Sequence, residues 1–282
     1  MEDNTLSLRY DNRFLVVESN ELIRSKQDDL TLLEARLVRL LVAQIKKDDT
    51  ELKTYTCNVS ELADFLGMDR HNIYREMDKL TTSLMRKMIY IRSKKPGKSG
   101  KNNYIKLHWI SFVQYADGML TIRLSEDAKP FLIGLKGYWA GYEYGVANYL
   151  PSNNVMRLFE LLWSFVNMTL QPDYVRPANY FPFHVEKNEF AFSIEYLREL
   201  LNCEDKYPNT GDFLKRTIDP YLKIIKENTT LAVSYRKVKQ GRAITYLVFR
   251  LNDSADFDPT LIMRLIKELE EERGPSPLYE QR

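Results

Sequence analysis

Lysine and arginine bring two chemistries to a protein surface: point charges that suit phosphates, and planar forks that suit base edges. Between residues 206 and 242 this sequence sets out both. Phe213, Ile218, Leu222 and Ile225 recur at helical spacing, which leaves Lys215, Arg216, Lys223 and Lys226 on or near the other face. Lys206 and Asn209 stand just ahead of this helix. Arg236, Lys237, Lys239 and Arg242 then surround a turn at Gln240-Gly241, and no acid occurs from Asn228 to Arg250. A solvated face normally mixes signs, so a single-sign hairpin beside a basic helix points to contact with a polyanion.

A second basic stretch lies earlier. Arg70 to Lys101 holds ten Lys/Arg and two acids. A helix expected to begin near Arg70 turns Arg70, His71, Asn72, Tyr74 and Arg75 away from its Ile73/Met77 stripe. Arg and Asn can read G and A edges bidentately, while Lys79 and the loop lysines Lys94, Lys95, Lys98 and Lys101 suit phosphates. Solvated faces, or a helix that only packs in a protein-binding domain, explain the same charges. Charge alone leaves these open.

Enzyme chemistry finds little support. His71, His108 and His184 are the only histidines and none has metal-ligand spacing. The PGKSGK run at 96–101 contains a GKS but lacks the preceding glycine, strand and helix of a phosphate loop. Cys57 and Cys203 stand far apart, so neither a disulfide framework nor a CxxC site is suggested. No catalytic residue, cofactor or metal site is expected. No window is apolar and long enough to span a bilayer, and the N-terminus lacks a secretory pattern, so a reduced cytoplasmic setting without membrane contact is expected. With 282 residues, 44% of them apolar and 28% charged, the chain suits two globular domains.

The elements that would position the basic residues fall into two similar series. Leu33, Leu37, Leu40 and Leu41 mark a first helix, with Thr31 and Glu34 as its capping box. A short strand leads into a short helix with Val59, Leu62, Phe65 and Leu66 inward, and Gly67 sits where a C-cap belongs. The longer helix through Ile73, Met77, Leu80 and Leu84 completes a helix-turn-helix. Strands over MIYIRS and YIKLHWISFVQY, flanking the lysine loop, read as a wing, and MLTIRLS follows after an ADG turn.

The second half repeats the order. Val155, Leu158, Leu161 and Leu162 mark a helix, FAFS a strand and SIEYLRELLNC a short helix. Ile194, Leu197, Leu200 and Leu201 match Val59, Leu62, Phe65 and Leu66 without gaps, and Asn202 matches Gly67. The basic helix and hairpin follow. The expected fold is α+β: two tandem winged-helix domains related by internal pseudo-symmetry, over 1–148 and 149–252, with an acidic helix or tail over 253–282. Residues 169–187 read as a loop or insertion within the second domain. Pro220 interrupts the basic helix, yet the apolar stripe runs through it, so one helix kinked at Asp219 is expected.

Taken in this order, SIEYLRELLNC, a Tyr-containing loop, FLKRTIDPYLKII and the Lys-Gln-Gly-Arg hairpin resemble the C-terminal half of the replication initiators of iteron plasmids. LTLLEARLVRLLVAQI, VSELADFLGM and Tyr74–Leu80 are similar to that family's N-terminal domain. The resemblance runs from about Asn20 to Leu251. It implies a protein that binds directly repeated origin sites in double-stranded DNA through both winged helices, with the major-groove helix at 211–226 and a further DNA helix at 70–86. It also implies melting of adjacent A·T-rich DNA and recruitment of the host initiator ATPase and replicative helicase. A monomer–dimer equilibrium through the N-terminal domain, with dimers repressing their own gene, is implied as well. A tandem winged-helix repressor without a replication role is the alternative. A nicking relaxase ranks lower, because it needs a histidine pair beside a nucleophilic tyrosine.

Overall fold

The structure, a computed structural model, describes residues 5–69, 71–92, 104–135, 139–166, 181–186 and 188–251. The chain divides between Asn153 and Asn154 into two compact units. Arg70, the loop lysines Lys94, Lys95, Lys98 and Lys101, most of the 169–187 segment and the 253–282 tail lie outside the described residues.

In the first unit, β1 (Thr5–Ser7), β2 (Leu15–Ser19), α1 (Asn20–Ile23) and β3 (Lys26–Gln27) precede the main helix α2 (Leu32–Ala43). The Thr31 side chain accepts from the Glu34 N–H, and Glu34 accepts from the Thr31 N–H at 2.7 Å, so the capping box forms as its residues dictate. Next come β4 (Thr54–Asn58), α3 (Val59–Leu66) and α4 (Ile73–Leu84). They are followed by β5 (Met88–Arg92), β6 (Tyr104–His108), β7 (Ile110–Ala116), β8 (Met119–Leu124), β9 (Trp139–Glu143) and α5 (Tyr144–Tyr149). The buried faces of α2, α3 and α4 carry Leu37, Leu40, Leu41, Val59, Leu62, Leu66, Ile73, Met77 and Leu84.

The hairpin expected as the wing of this unit is not the wing. β5 and β6 pair with each other in a separate sheet of order β3-β5-β6, while β4 belongs to a sheet of order β1-β4-β8-β7. The returning strand read over YIKLHWISFVQY is two strands divided at Trp109. That indole is buried and its backbone carbonyl accepts the Ser125 N–H at 2.9 Å, which fixes the point where the chain passes from one sheet to the other. The hairpin beside β4 is therefore β7–β8, closed at Asp117-Gly118 with both residues at positive φ, as a two-residue primed turn requires.

The second unit contains α6 (Asn153–Trp163), β10 (Glu189–Ser193), α7 (Ile194–Leu200), α8 (Thr210–Phe213), a π turn (Leu214–Ile218), α9 (Asp219–Asn228), β11 (Val233–Gln240) and β12 (Ala243–Leu251). Its sheet has the order β10-β12-β11, the same arrangement as β4-β8-β7 in the first unit. Phe190, Phe192, Phe249 and Tyr235 pack ring on ring across this sheet, and Phe213, Leu214, Ile218 and Ile225 meet its core from the helical side.

The two helix-turn-helix segments share details a shape comparison would miss. Gly67 and Asn202 both lie in the left-handed region, at φ 72 and 51. Each closes its helix by the same backbone bond, Met68 N–H to Ala63 and Cys203 N–H to Arg198, both 2.8 Å. Five residues further on, Asn72 and Tyr207 are again left-handed, at φ 57 and 56. Asn58 and Ser193 cap α3 and α7 through their side chains.

Candidate nucleic-acid interface

The basic helix of the second unit starts earlier than its apolar stripe suggests. Asn209 is the N-cap: its Oδ1 accepts the Asp212 N–H at 2.7 Å, and its Nδ2 donates to the Asp212 carboxylate at 2.6 Å. The amide predicted to meet DNA is thus engaged in starting the helix. Pro220 is accommodated without a break. Dihedrals at Leu214, Ile218 and Asp219 remain helical, and the Asp219 N–H reaches back five residues to the Leu214 carbonyl. The turn ahead of the proline is a π turn, so the kink expected at Asp219 is replaced by one wider turn. The Thr217 hydroxyl donates to the Phe213 carbonyl inside it. Lys215 and Arg216 sit on this π turn, both exposed, with Leu214, Thr217 and Ile218 buried beneath them.

The hairpin β11–β12 stands next to this helix and is tied to it. Tyr235 on β11 donates its hydroxyl to the Asp219 carboxylate at 2.6 Å. Burial pushes the Tyr235 phenol up, and the Asp219 bond pushes it further, so the tyrosine stays a neutral donor. At the tip, Gly241 takes φ 62 as the first residue of a two-residue turn with Arg242. Lys237, Lys239 and Arg242 are exposed and have no ion-pair partner among the described residues; the same holds for Lys206, Lys215 and Arg216. Lys223 faces Glu227 at 3.8 Å on the solvent side, a contact worth little. Six free cations on one turn, one helix and one hairpin make a surface suited to phosphates, with Arg216 able to fork onto a base edge.

Arg236 has a different task from its neighbours. Its guanidinium binds both carboxylate oxygens of Glu189, at 3.2 and 2.9 Å, and the His184 carbonyl at 2.8 Å. Burial pushes the Glu189 carboxyl up, but the Arg236 fork and the Glu186 N–H outweigh it and hold the carboxyl below its ordinary value. A carboxyl lowered by folding adds stability above its unfolded pKa, and that stability is lost as pH falls through the folded pKa. Arg236→Ala is therefore expected to lower stability by about 1–3 kcal/mol at pH 7, because it takes the forked cation away from a buried carboxylate. Denaturant titrations of both proteins should converge only as the pH falls below the ordinary carboxylate value and through the lowered folded pKa of Glu189, where the group becomes neutral in both.

Among the described residues, the cations on the recognition-helix position of the first unit are paired with an acid. α4 begins at Ile73, because Asn72 lies in the left-handed region. His71 and Asn72 therefore belong to the turn and not to the first helical turn where they were expected. The His71 N–H donates to Asp69 at 2.9 Å. Lys79 pairs with Glu76 at 2.8 Å, and Arg75 approaches the same carboxylate at 3.5 Å. The Lys79 hydrogen bond holds the Glu76 carboxyl below its usual range. Tyr74 is 52% exposed and meets Tyr115, on the β7–β8 hairpin, edge to face at 5.8 Å. Helix and wing tip thus meet through aromatics here, whereas in the second unit they meet beside free cations.

Three residues of the interface carried no signal in the sequence reading. Arg198 and Tyr235 hold the second helix in place, and Tyr115 supplies the aromatic tip of the first unit's wing. Each lies on an element that was recognised, but its long-range partner was not predictable from spacing.

Comparison with known proteins agrees with this architecture. The model described as Initiator Replication protein, WH1 matches residues 15–163, and that described as Initiator Rep protein, WH2 matches residues 193–251. A replication initiation protein of Escherichia coli is 23% identical over 265 residues, covering 92% of this chain and 74% of that protein. The crystal structure of the WH1 domain of MSBI1.176, a replication protein isolated from a multiple sclerosis patient, shares 21% identity over 36% of this chain and 79% of that one, with a TM-score of 0.27. With the WH1 model alone spanning more than half of its residues, and helix, turn, helix and hairpin in place in both units, the chain belongs to the initiator replication protein family and is a plasmid replication initiator.

Proposed function

We propose that this initiator binds directly repeated sites in double-stranded origin DNA, with the second unit reading sequence and the first adding contact. The observation that carries this is the set of free cations Lys206, Lys215, Arg216, Lys237, Lys239 and Arg242 gathered on one helix-turn-helix and its wing. The repeated left-handed positions at Gly67/Asn72 and Asn202/Tyr207 support two pseudo-symmetric domains over 1–148 and 149–252. Melting of adjacent A·T-rich DNA then requires no catalytic residue, because binding energy favours the bent, opened origin over the closed one. Recruitment of the host initiator ATPase and replicative helicase, dimerisation through the first domain with autorepression, and a cytoplasmic setting complete the proposal. A footprint of the full chain on the DNA flanking its own gene tests it. Protection of spaced direct repeats is expected. Protection of a lone palindrome would favour a repressor without a replication role, and uniform protection at moderate salt would overturn sequence reading altogether.

A further inference from the structure

We propose that Arg198 is the positioning residue for the DNA-reading helix of the second unit, a role that rests on the reading of that helix as the sequence-specific element. Arg198 lies on α7, the helix before the turn, and its guanidinium reaches across the turn to four backbone carbonyls. Nη1 donates to Cys203 at 3.3 Å and Lys206 at 2.6 Å; Nη2 donates to Tyr207 at 2.8 Å and Asn209 at 3.4 Å. Its plane lies over the Phe213 ring, 4.5 Å from the centroid, on the first turn of the helix itself. One side chain therefore holds the end of α7, the whole turn and the start of α8.

Apolar contacts do little to fix the turn. Glu204, Asp205, Lys206, Pro208 and Asn209 are all exposed, so apolar burial contributes little between Cys203 and Thr210. Tyr207 is held at φ 56 ahead of Pro208, a backbone state that a bulky residue occupies only when its surroundings impose it. Two of the carbonyls in the clamp belong to Lys206 and Asn209, so the same bonds set the direction of a free cation and of the helix cap.

The first unit shows why the clamp is needed here. Its turn runs from Gly67 to Asn72 and α4 starts at the next residue, whereas after Tyr207 two more residues precede α8. The position equivalent to Arg198, set by the shared C-cap bonds, is Ala63. At the shorter turn, among the described residues, Arg36 donates to the Leu66 carbonyl at 3.3 Å, a single carbonyl where Arg198 takes four. The longer one has its slack taken up by a guanidinium.

The experiment measures two affinities of the full chain: one for a duplex spanning the DNA that flanks its own gene, one for a shuffled duplex of the same length. Arg198→Lys keeps the charge and most of the stem, but a single ammonium cannot fork to carbonyls on both arms of the turn. Its specific-to-shuffled affinity ratio is expected to fall about tenfold or more, since a small displacement of the helix forfeits a bidentate base contact. Affinity for the shuffled duplex and its salt dependence should stay at the wild-type level, because Lys237, Lys239 and Arg242 are untouched. Phe213→Leu, which removes the ring under the guanidinium, should move the ratio in the same direction. It also gives a second reading should a truncation such as Arg198→Ala fail to fold. An unchanged ratio in Arg198→Lys, or equal loss on both duplexes, overturns the role. A wild-type chain with no preference for the flanking DNA overturns the reading of the helix, and this role with it.

Discussion

Arg216→Ala and Lys215→Ala are each expected to weaken specific origin binding while the chain stays folded. Both side chains are exposed on the π turn and have no partner among the described residues, so truncation leaves no buried group unsatisfied. The turn itself is held from beneath by Leu214, Thr217 and Ile218 and from ahead by Phe213. Thermal midpoints should therefore match wild type, as surface substitutions usually do. Losing a bidentate base contact costs about 1–3 kcal/mol, so each substitution should weaken binding to the repeats by roughly 5- to 150-fold. Lys237→Ala and Lys239→Ala make the contrast. As phosphate contacts they should weaken binding to every duplex alike and reduce the salt slope by about one each. If Arg216→Ala weakens shuffled and repeated DNA equally, Arg216 is a phosphate contact and base reading lies elsewhere on the helix.

That contrast depends on features the sequence disclosed unevenly. The helix-turn-helix pairs were legible because apolar spacing, the Thr31/Glu34 box and the Gly67 cap are local signals whose partners lie within one turn. The gapless match of Leu197, Leu200 and Leu201 to Leu62, Phe65 and Leu66 was legible for the same reason. Long-range pairing was not. Nothing in YIKLHWISFVQY announces that Trp109 divides it between two sheets, because both halves have strand composition and only burial of the indole sets the break. The wing was misplaced as a result. Charge was misleading in the opposite sense: Arg75, Lys79 and Arg236 look alike in a tally of basic residues, yet Glu76 and Glu189 occupy all three. The proline of the basic helix was a visible oddity. Its solution, a π turn that keeps helical dihedrals through Asp219, depends on packing of Leu214 and Ile218 that spacing could only suggest.

The largest loss of stability is expected from a residue that helical spacing would assign to solvent. On α6 the stripe Val155, Leu158, Leu161, Leu162 leaves Arg157 and Glu160 outside it, yet both side chains are only 1% exposed and face each other at 3.6 Å. Two charges taken out of water are costly to hold, and their attraction offsets that cost only while both are present. Removing one takes from the other, still buried, the opposite charge at 3.6 Å. Glu160→Leu and Arg157→Met are each expected to cost about 3–5 kcal/mol, a large fraction of a typical domain's stability. The double variant Arg157→Met/Glu160→Leu should recover most of that loss, because an apolar pair of similar volume has no desolvation penalty to offset. Urea titrations of the full chain, followed by tryptophan fluorescence in a Trp109→Phe/Trp139→Phe background that leaves Trp163 at the end of the same helix, would read the effect. A double variant no better than either single change would mean that the pair acts through its other partners and not through each other. The stability of the second unit, and with it the proposed DNA-reading surface, would then rest on a wider polar network around α6.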